Sequence, residues 1–126
     1  FLGVPPMNFI ELDVKNPQQE IAAKYLERRI EGNSPAGSVG IRPESFEIFT
    51  ENAHVPEQAL SLPGEIESVM PTGGSWTIQS RVGDQSVYST VLNRGDLDQG
   101  QRVELAVTAD KLHVFDHEEQ RMTVNS

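Results

Sequence analysis

The stretch SWTIQSRVGDQSVYSTVL, residues 75–92, decides the fold class, because it predicts two strands joined by a tight turn. In its first half, Trp76, Ile78 and Val82 point to one face and alternate with polar residues, which is typical of a half-buried strand. Gly83-Asp84 supplies a two-residue hairpin turn. The second half then returns as the partner strand, so this part of the chain is predicted to be a β-hairpin.

Strand patterns continue on both sides of this hairpin. Residues 64–71 form a strand candidate that reaches the hairpin through the Gly-rich turn at 72–75. Two more candidates follow a long polar turn, at residues 102–109 and 112–116. Five short strands joined by Gly-rich turns predict a small β-barrel over residues 64–116. We therefore expect a mainly β protein.

The N-terminal half contains one strong helix pattern. Asn16 is a suitable N-cap, Pro17 fits the first helical position, and Gly32 suits the end of the helix. Five apolar residues recur at helical spacing, namely Ile21, Ala22, Tyr25, Leu26 and Ile30. The pattern predicts a helix over residues 17–31. Its apolar stripe is predicted to face the core, and the alternative is that it forms a partner-binding face.

The remaining segments of the N-terminal half are shorter. Residues 8–13 and 38–41 are predicted to be strands, and Pro43 forces a turn after the second of them. Residues 50–63 are polar and contain two prolines, so they are predicted to be an irregular surface connection.

Composition limits the classes of function. The chain has 126 residues, which suits a single domain, and it has no cysteine, which excludes disulfides and thiolate metal sites. Its formal net charge of -9 repels phosphate backbones, so we expect no nucleic-acid partner. No apolar run approaches the length of about 20 residues that a membrane-spanning helix needs.

Motifs for catalysis are weak. A phosphate-binding loop, a dinucleotide-binding glycine motif and a zinc-protease motif are all absent from the sequence. An enzyme function would rest on Ser34, in a poor match to a nucleophile elbow, and on His113. Asp96, Asp98 and Glu104 lack the spacing of a calcium loop. The sequence therefore predicts no catalytic residue, no cofactor-binding residue and no metal ligand.

Four segments, in chain order, resemble motifs of the ATP-binding subunits of bacterial ABC importers for sugars and related solutes. They are FLGVPPMNF at 1–9, GIRPE at 40–44, GEIESVMPTGG at 64–74 and LHVFD at 112–116. In the third, Met70 and Pro71 replace the residues of the family pattern. The matching positions predicted to be structural markers are Gly3, Pro5, Met7, Asn8, Phe9, Gly40, Ile41, Arg42, Pro43, Glu44, His113, Phe115 and Asp116.

The resemblance implies a C-terminal regulatory domain of the transport-associated, OB-like (TOBE) type, with residues 1–126 as one domain. Residues 1–9 would be the seam left by an upstream ATPase domain, to which ATP and Mg²⁺ belong. This chain would be non-catalytic and would help to hold two copies of the subunit together as a homodimer. The full protein would energise solute import with membrane permease subunits, on the cytoplasmic face of the cell membrane, and a regulatory protein binds this domain in some members.

The resemblance also leaves alternatives. The family usually has β-structure between M-N-F and G-I-R-P-E, where this chain predicts a helix. Molybdate-binding relatives of the fold make an oxyanion a second ligand class, although the net charge disfavours it. A stand-alone OB-type module for oligosaccharide or single-stranded nucleic acid is the other reading. Arg42 and Glu44 are predicted to form a structural ion pair beside Pro43.

Overall fold

A computed structural model describes residues 6–13, 15–32 and 35–125. This part of the chain is mainly β with one α-helix, as predicted, and its strands form two antiparallel sheets. The elements are β1 (Asn8–Glu11), α1 (Pro17–Leu26), β2 (Ala36–Ile41), β3 (Glu47–Thr50), β4 (Leu60–Thr72), β5 (Ser75–Val82), β6 (Gln85–Val91), β7 (Arg102–Val107), β8 (His113–Asp116) and β9 (Arg121–Met122), with 3-10 turns at Pro43–Ser45 and Ala109–Lys111.

The first sheet has the strand order β1-β2-β8-β9, and the second has the order β3-β7-β4-β5-β6. The long strand β4 organises the second sheet. Its first half pairs with β7 and its second half pairs with β5. A register shift between Ile66 and Ser68 lies where the strand changes partners, and such irregularities bend a strand and increase its twist. One continuous strand thereby serves both halves of the sheet.

The hairpin predicted at residues 75–92 is present. Val82 pairs with Gln85 across the turn, and Gly83 adopts a φ of 61°, in the left-handed region that favours glycine. Ile78 and Val87 are buried on the inner face, as the alternation predicts.

Both sheets and the helix contribute to one hydrophobic core. Val39 and Val114 of the first sheet are fully buried, and so are Leu62 and Leu105 of the second. Ala22 of α1 packs into the same cluster. Because each fully buried aliphatic side chain contributes about 1.5–3 kcal/mol, this shared core holds the two sheets together.

The helix begins where the sequence predicts and ends earlier. The side chain of Asn16 accepts a hydrogen bond of 2.7 Å from the backbone N–H of Gln19, and Pro17 occupies the first turn. The helix ends at Leu26 instead of residue 31. Ile30 instead forms an antiparallel bridge with Val124 near the end of the described chain, so a tertiary pairing overrides the helical spacing there.

Two strands were not predicted. Glu47–Thr50 forms β3 and Arg121–Met122 forms β9, and both are too short to give a clear periodic pattern. The predicted connection at 50–63 is shorter than expected, because β4 already begins at Leu60. Pro63 lies inside β4, where it is exposed.

The position of β8 also differs from the prediction, in which residues 112–116 are the last strand of the same barrel as residues 64–109. This strand pairs with β2 in the first sheet, away from β4 to β7. The sequence pattern identifies the segment as a strand. Its partner lies about 75 positions away along the chain, and a local pattern cannot identify so distant a partner.

Candidate functional site: the motif face of the first sheet

Three of the four family motifs meet in the first sheet. Phe9 of β1 pairs with Gly40 of β2, and Gly40 pairs with His113 of β8. Paired residues on neighbouring strands point to the same side of a sheet, so these three lie in one row on its outer side. Phe115 pairs with Ser38 in the next row. The motifs are thus parts of one surface although they are far apart in sequence.

We call the outer surface formed by Met7, Phe9, Gly40, His113 and Phe115 the motif face. Gly40 lies at its centre: a Cβ atom placed there would stand 3.1 Å from Cε1 of Phe9 and would collide with Sδ of Met7. Because glycine leaves this strip flat, the ring centroids of Phe9 and Phe115 approach to 6.4 Å at a tilt of 47°. The glycine of one motif therefore makes room for the apolar residues of another.

Asn8 precedes Phe9 in β1 and lies on the inner side of the strand, where it is 6% exposed. Its Nδ2 donates hydrogen bonds to the carbonyl oxygens of Ile41, at 3.0 Å, and Tyr88, at 2.9 Å. Its Oδ1 accepts a bond of 2.8 Å from the N–H of Tyr88. Since Tyr88 lies in β6, this amide joins the first sheet to an edge of the second.

The GIRPE segment ends β2 and turns the chain. Pro43 is buried and starts a 3-10 turn, in which the N–H of Ser45 donates to the carbonyl of Arg42 at 2.9 Å. The predicted ion pair between Arg42 and Glu44 is wrong, since both side chains are exposed and the salt bridges in the described part of the chain are Arg81–Glu67 and Arg94–Asp98. Arg42 is the extended residue before the 3-10 turn, and Glu44 lies within the turn.

His113 is the titratable residue of the motif face. Partial burial lowers its pKa from the usual 6.5, and the nearby positive charges of Arg121 and Arg42 lower it further. The lowered pKa favours the neutral form of the imidazole. Asp116, the last motif residue, has a turn role: its Oδ1 accepts the N–H groups of Glu118 and Gln120, each at 2.9 Å.

The other candidate groups serve in turns or lie outside the described residues. Gly3, Pro5 and Ser34 belong to the parts of the chain that the structure does not describe, as does most of the predicted seam. Asp98 pairs with Arg94 at 3.6 Å, and Glu104 accepts a bond of 2.7 Å from the hydroxyl of Ser61. Within the described ranges, no group of three or more His, Cys, Asp or Glu side chains is arranged to hold a metal ion.

Over the described residues, no helix combines the length and the apolar character needed to cross a bilayer.

One structural contact was missed by sequence reasoning. Gln18, in the first turn of α1, is 1% exposed, and its Nε2 donates to Oδ1 of Asp84 at 2.7 Å and to Oε1 of Gln85 at 3.2 Å. These bonds fix the helix to the turn of the central hairpin. A glutamine in a polar first turn gives no local signal of burial, because its partners lie 66 and 67 positions away.

The two described sheets and the helix make up a small, mainly β domain. Residues 39–115 match the family model described as the TOBE domain. Since the match covers more than half of the 126 residues, the chain belongs to the TOBE domain family, and the predicted family is confirmed.

The curated relatives are import ATP-binding proteins. The sn-glycerol-3-phosphate import ATP-binding protein UgpC of Rhodopseudomonas palustris is 28% identical over 92% of this chain and 33% of its own length. The proteins of the same name from Vibrio vulnificus and Vibrio cholerae are 25% and 29% identical, over 100% and 96% of the chain and 34% and 32% of their own lengths. The chain thus spans about a third of the length of these relatives.

A solved structure confirms the fold class. The molybdate-bound crystal structure of the cytoplasmic molybdate-binding protein ModG superposes with a TM-score of 0.56, covering 76% of this chain and 70% of that one. The sequence identity is 12%, so the likeness concerns the fold alone.

Proposed function

We propose that this chain is the C-terminal regulatory and dimerisation domain of the ATP-binding subunit of an ABC importer for a carbohydrate or a related solute. The observation that carries the proposal is the TOBE match, together with relatives that are import ATP-binding proteins about three times as long. The meeting of three family motifs in the first sheet also supports the proposal, because the motif residues pack against one another there.

In this proposal the chain is not catalytic. ATP and Mg²⁺ belong to the ATP-binding domain, which makes up the rest of the subunit. The domain acts by binding: contacts that form in one arrangement of two subunits and not in another shift the population towards the first. The proposed partners are the ATP-binding domain, a second copy of the subunit, the membrane permease subunits and, in a regulated importer, a regulatory protein. The proposed location is the cytoplasmic face of the cell membrane.

The test compares the full-length subunit with a version that lacks residues 1–126. Sedimentation equilibrium measures subunit dimerisation, and phosphate release measures ATP hydrolysis. We expect the dissociation constant of the dimer to rise at least tenfold in the shortened subunit, while nucleotide binding by the monomer persists. We also expect the isolated 126-residue chain to release phosphate at the background rate.

Two results would reject the proposal. One is an unchanged dimerisation constant after residues 1–126 are removed. The other is ATP hydrolysis by the isolated chain clearly above the background of a buffer control.

An oxyanion-binding module is the second candidate, because the fold is similar to that of a molybdate-binding protein. The net charge of -9 opposes anion binding. Titration calorimetry of the dialysed chain with molybdate separates the two proposals. We expect no binding at micromolar concentration, and a saturable micromolar isotherm would favour the second candidate over the first.

A further inference from the structure

A cavity lies between the last turn of α1 and the neighbouring ends of β1 and β2, and we call it the α1 cavity. Its volume is about 310 Å³, at the lower end of the range of about 300–1,000 Å³ that is usual for small-molecule pockets. Most of the described residues that line it are apolar, among them Leu12, Ala23, Leu26 and Ile30. Leu26 is buried, whereas Gly32 at the other end of the lining is exposed, so the cavity opens to solvent on that side.

Glu27 is the one charged residue among the described lining residues of the α1 cavity. It stands at the C-terminal end of α1, and it is exposed. Neither of the two ion pairs in the described part of the chain includes Glu27. The C-terminal end of a helix also carries a partial negative charge. The mouth of the cavity is therefore negative, while its interior is apolar.

The positive residues nearest to Glu27 in the sequence do not neutralise this mouth from inside the cavity. Lys24 and Arg28 are exposed, and neither is among the described lining residues. Arg29 is engaged with Tyr25: its guanidinium carbon lies 4.1 Å from the centroid of the ring, and its Nη1 donates to the backbone carbonyl of Tyr25 at 2.8 Å. An anionic ligand would thus meet no cation in the described lining, whereas a cationic ligand would meet a carboxylate.

The surroundings of the cavity favour a small molecule over a protein partner. The large hydrophobic side chains with high exposure in the described part of the chain are Phe9, Met70 and Leu92, and none of them lines the cavity. A standard protein interface buries about 800 Å² on each partner. No exposed large side chain extends the apolar surface beyond the cavity towards such an area.

The α1 cavity also lies apart from the residues that match the family model. All of its described lining residues precede Val39, the first residue of the match. A ligand site here goes beyond the proposed regulatory function, and either proposal can fail without the other.

We propose that the α1 cavity binds a small molecule that has an aliphatic body and one ammonium group. The aliphatic body lies against Leu12, Leu26 and Ile30, where it removes apolar surface from water. The ammonium group lies at the mouth and pairs with the carboxylate of Glu27. A neutral molecule of the same shape binds more weakly, because it cannot form this charged hydrogen bond.

A titration followed by nuclear magnetic resonance tests the site with two matched probes. Cyclohexylmethylamine is cationic at pH 7, as a lysine side chain is, and cyclohexylmethanol is a neutral molecule of similar shape. We expect the amine to shift the amide signals of Ala23, Ile30 and Gly32 in a saturable way, while the signals of the β5–β6 hairpin stay unchanged. The dissociation constant of the alcohol is expected to be at least about threefold higher.

Glu27→Gln and Glu20→Gln form a matched pair of variants. Each removes one negative charge from α1, but Glu20 lies in the first turn and is not among the described lining residues. Glu27→Gln should weaken binding of the amine at least about threefold and leave binding of the alcohol unchanged. Glu20→Gln should leave both unchanged.

A third variant tests the interior of the cavity. Ala23→Leu places a larger side chain in the cavity and should weaken binding of both probes at least fivefold. Its thermal unfolding verifies that the domain still folds. The comparison of Glu27→Gln with Glu20→Gln decides the proposal if Ala23→Leu does not fold.

Three results would overturn the proposal. Signals that do not saturate, or that shift equally in the β5–β6 hairpin, would show non-specific association. Equal dissociation constants for the amine and the alcohol would remove the ammonium group from the ligand class. Equal effects of Glu27→Gln and Glu20→Gln would show that the net charge of the chain attracts the amine, without a role for the carboxylate at the mouth.

Discussion

Asn8 shows how one side chain can determine how two sheets are joined. Its amide supplies two donated hydrogen bonds and one accepted bond, and it does so from a buried position between β1 and β6. Aspartate lacks the donors, and leucine lacks both kinds of group. The hydrogen bonds within the protein therefore explain why asparagine stands at this position, without a role in ligand binding.

The variant Asn8→Ala is expected to lower the free energy of unfolding by about 2–4 kcal/mol, since it removes three hydrogen bonds and leaves the N–H of Tyr88 without its partner. Urea denaturation followed by Trp76 fluorescence measures the change. The control Asn52→Ala alters an exposed loop residue and should change stability by less than about 0.5 kcal/mol. A loss as small as that of the control would contradict the role assigned to Asn8.

Ser80 provides the opposite case. Its side chain is fully buried, and its hydroxyl has no hydrogen-bond partner among the described residues. Replacement of such a group by a methyl removes a desolvated polar atom, so Ser80→Ala should keep stability unchanged or raise it by about 1 kcal/mol. The paired control is Ser61→Ala, which breaks a bond of 2.7 Å to Glu104 and should not be stabilising. Thermal denaturation of both variants decides the sign.

At the scale of elements, the contact between α1 and the central hairpin joins the two halves of the chain. The hairpin turn is tight because Gly83 has a positive φ, and Gln18 of the helix lies directly against it. A side chain at residue 83 would collide with Oε1 of Gln18. The same glycine therefore meets two demands, one from the turn and one from the helix.

A pair of glycine variants separates these two demands. Gly83 and Gly73 have similar φ values, 61° and 65°, but nothing lies within 4 Å of a Cβ placed at Gly73. Gly73→Ala should therefore cost only the left-handed backbone strain, about 1–2 kcal/mol. Gly83→Ala should cost about 1–3 kcal/mol more, because the buried side chain of Gln18 must also shift, which disturbs its hydrogen bonds to Asp84 and Gln85. Chemical denaturation of the two variants gives the difference, and equal losses would show that the helix contact is unimportant.

At the scale of the whole molecule, pH links the motif face to stability. The pKa of His113 is lower in the folded protein than its usual 6.5, mainly through burial and also through Arg121 and Arg42. The unfolded chain therefore takes up this proton at a higher pH than the folded chain does. The stabilising contribution is complete above about pH 6.5 and is lost as the pH falls through the folded pKa.

We expect His113→Gln to reduce the decline in the free energy of unfolding between about pH 7.5 and pH 5, because the variant has no imidazole to protonate in that range. Urea denaturation at several pH values measures the slope for each protein. The matched control is His117→Gln, an exposed histidine in the adjacent turn, which leaves the His113 contribution in place. A slope for His113→Gln that equals the slope of the parent chain would refute the link.

Much of the fold could be predicted locally. The hairpin at 75–92 and the start of the helix at Asn16 rest on turn residues, a cap and alternating apolar positions, all of which lie within a few residues of one another. The family motifs were also visible in the sequence, but the structural reason for each motif residue was not. That Gly40 accommodates Met7 and Phe9 depends on the register of β1 against β2, which no local pattern encodes.

The sequence by itself determined that this protein is a mainly β domain with one helix, because side-chain periodicity and turn chemistry act over short distances. Only the tertiary structure decided that β8 pairs with β2, that the helix ends at Leu26 and that Arg42 and Glu44 stay apart. These outcomes depend on which distant segments bury their apolar faces against each other. The free energy that favours these pairings comes from the shared core as a whole. The same pairings bring the motif residues together on one surface.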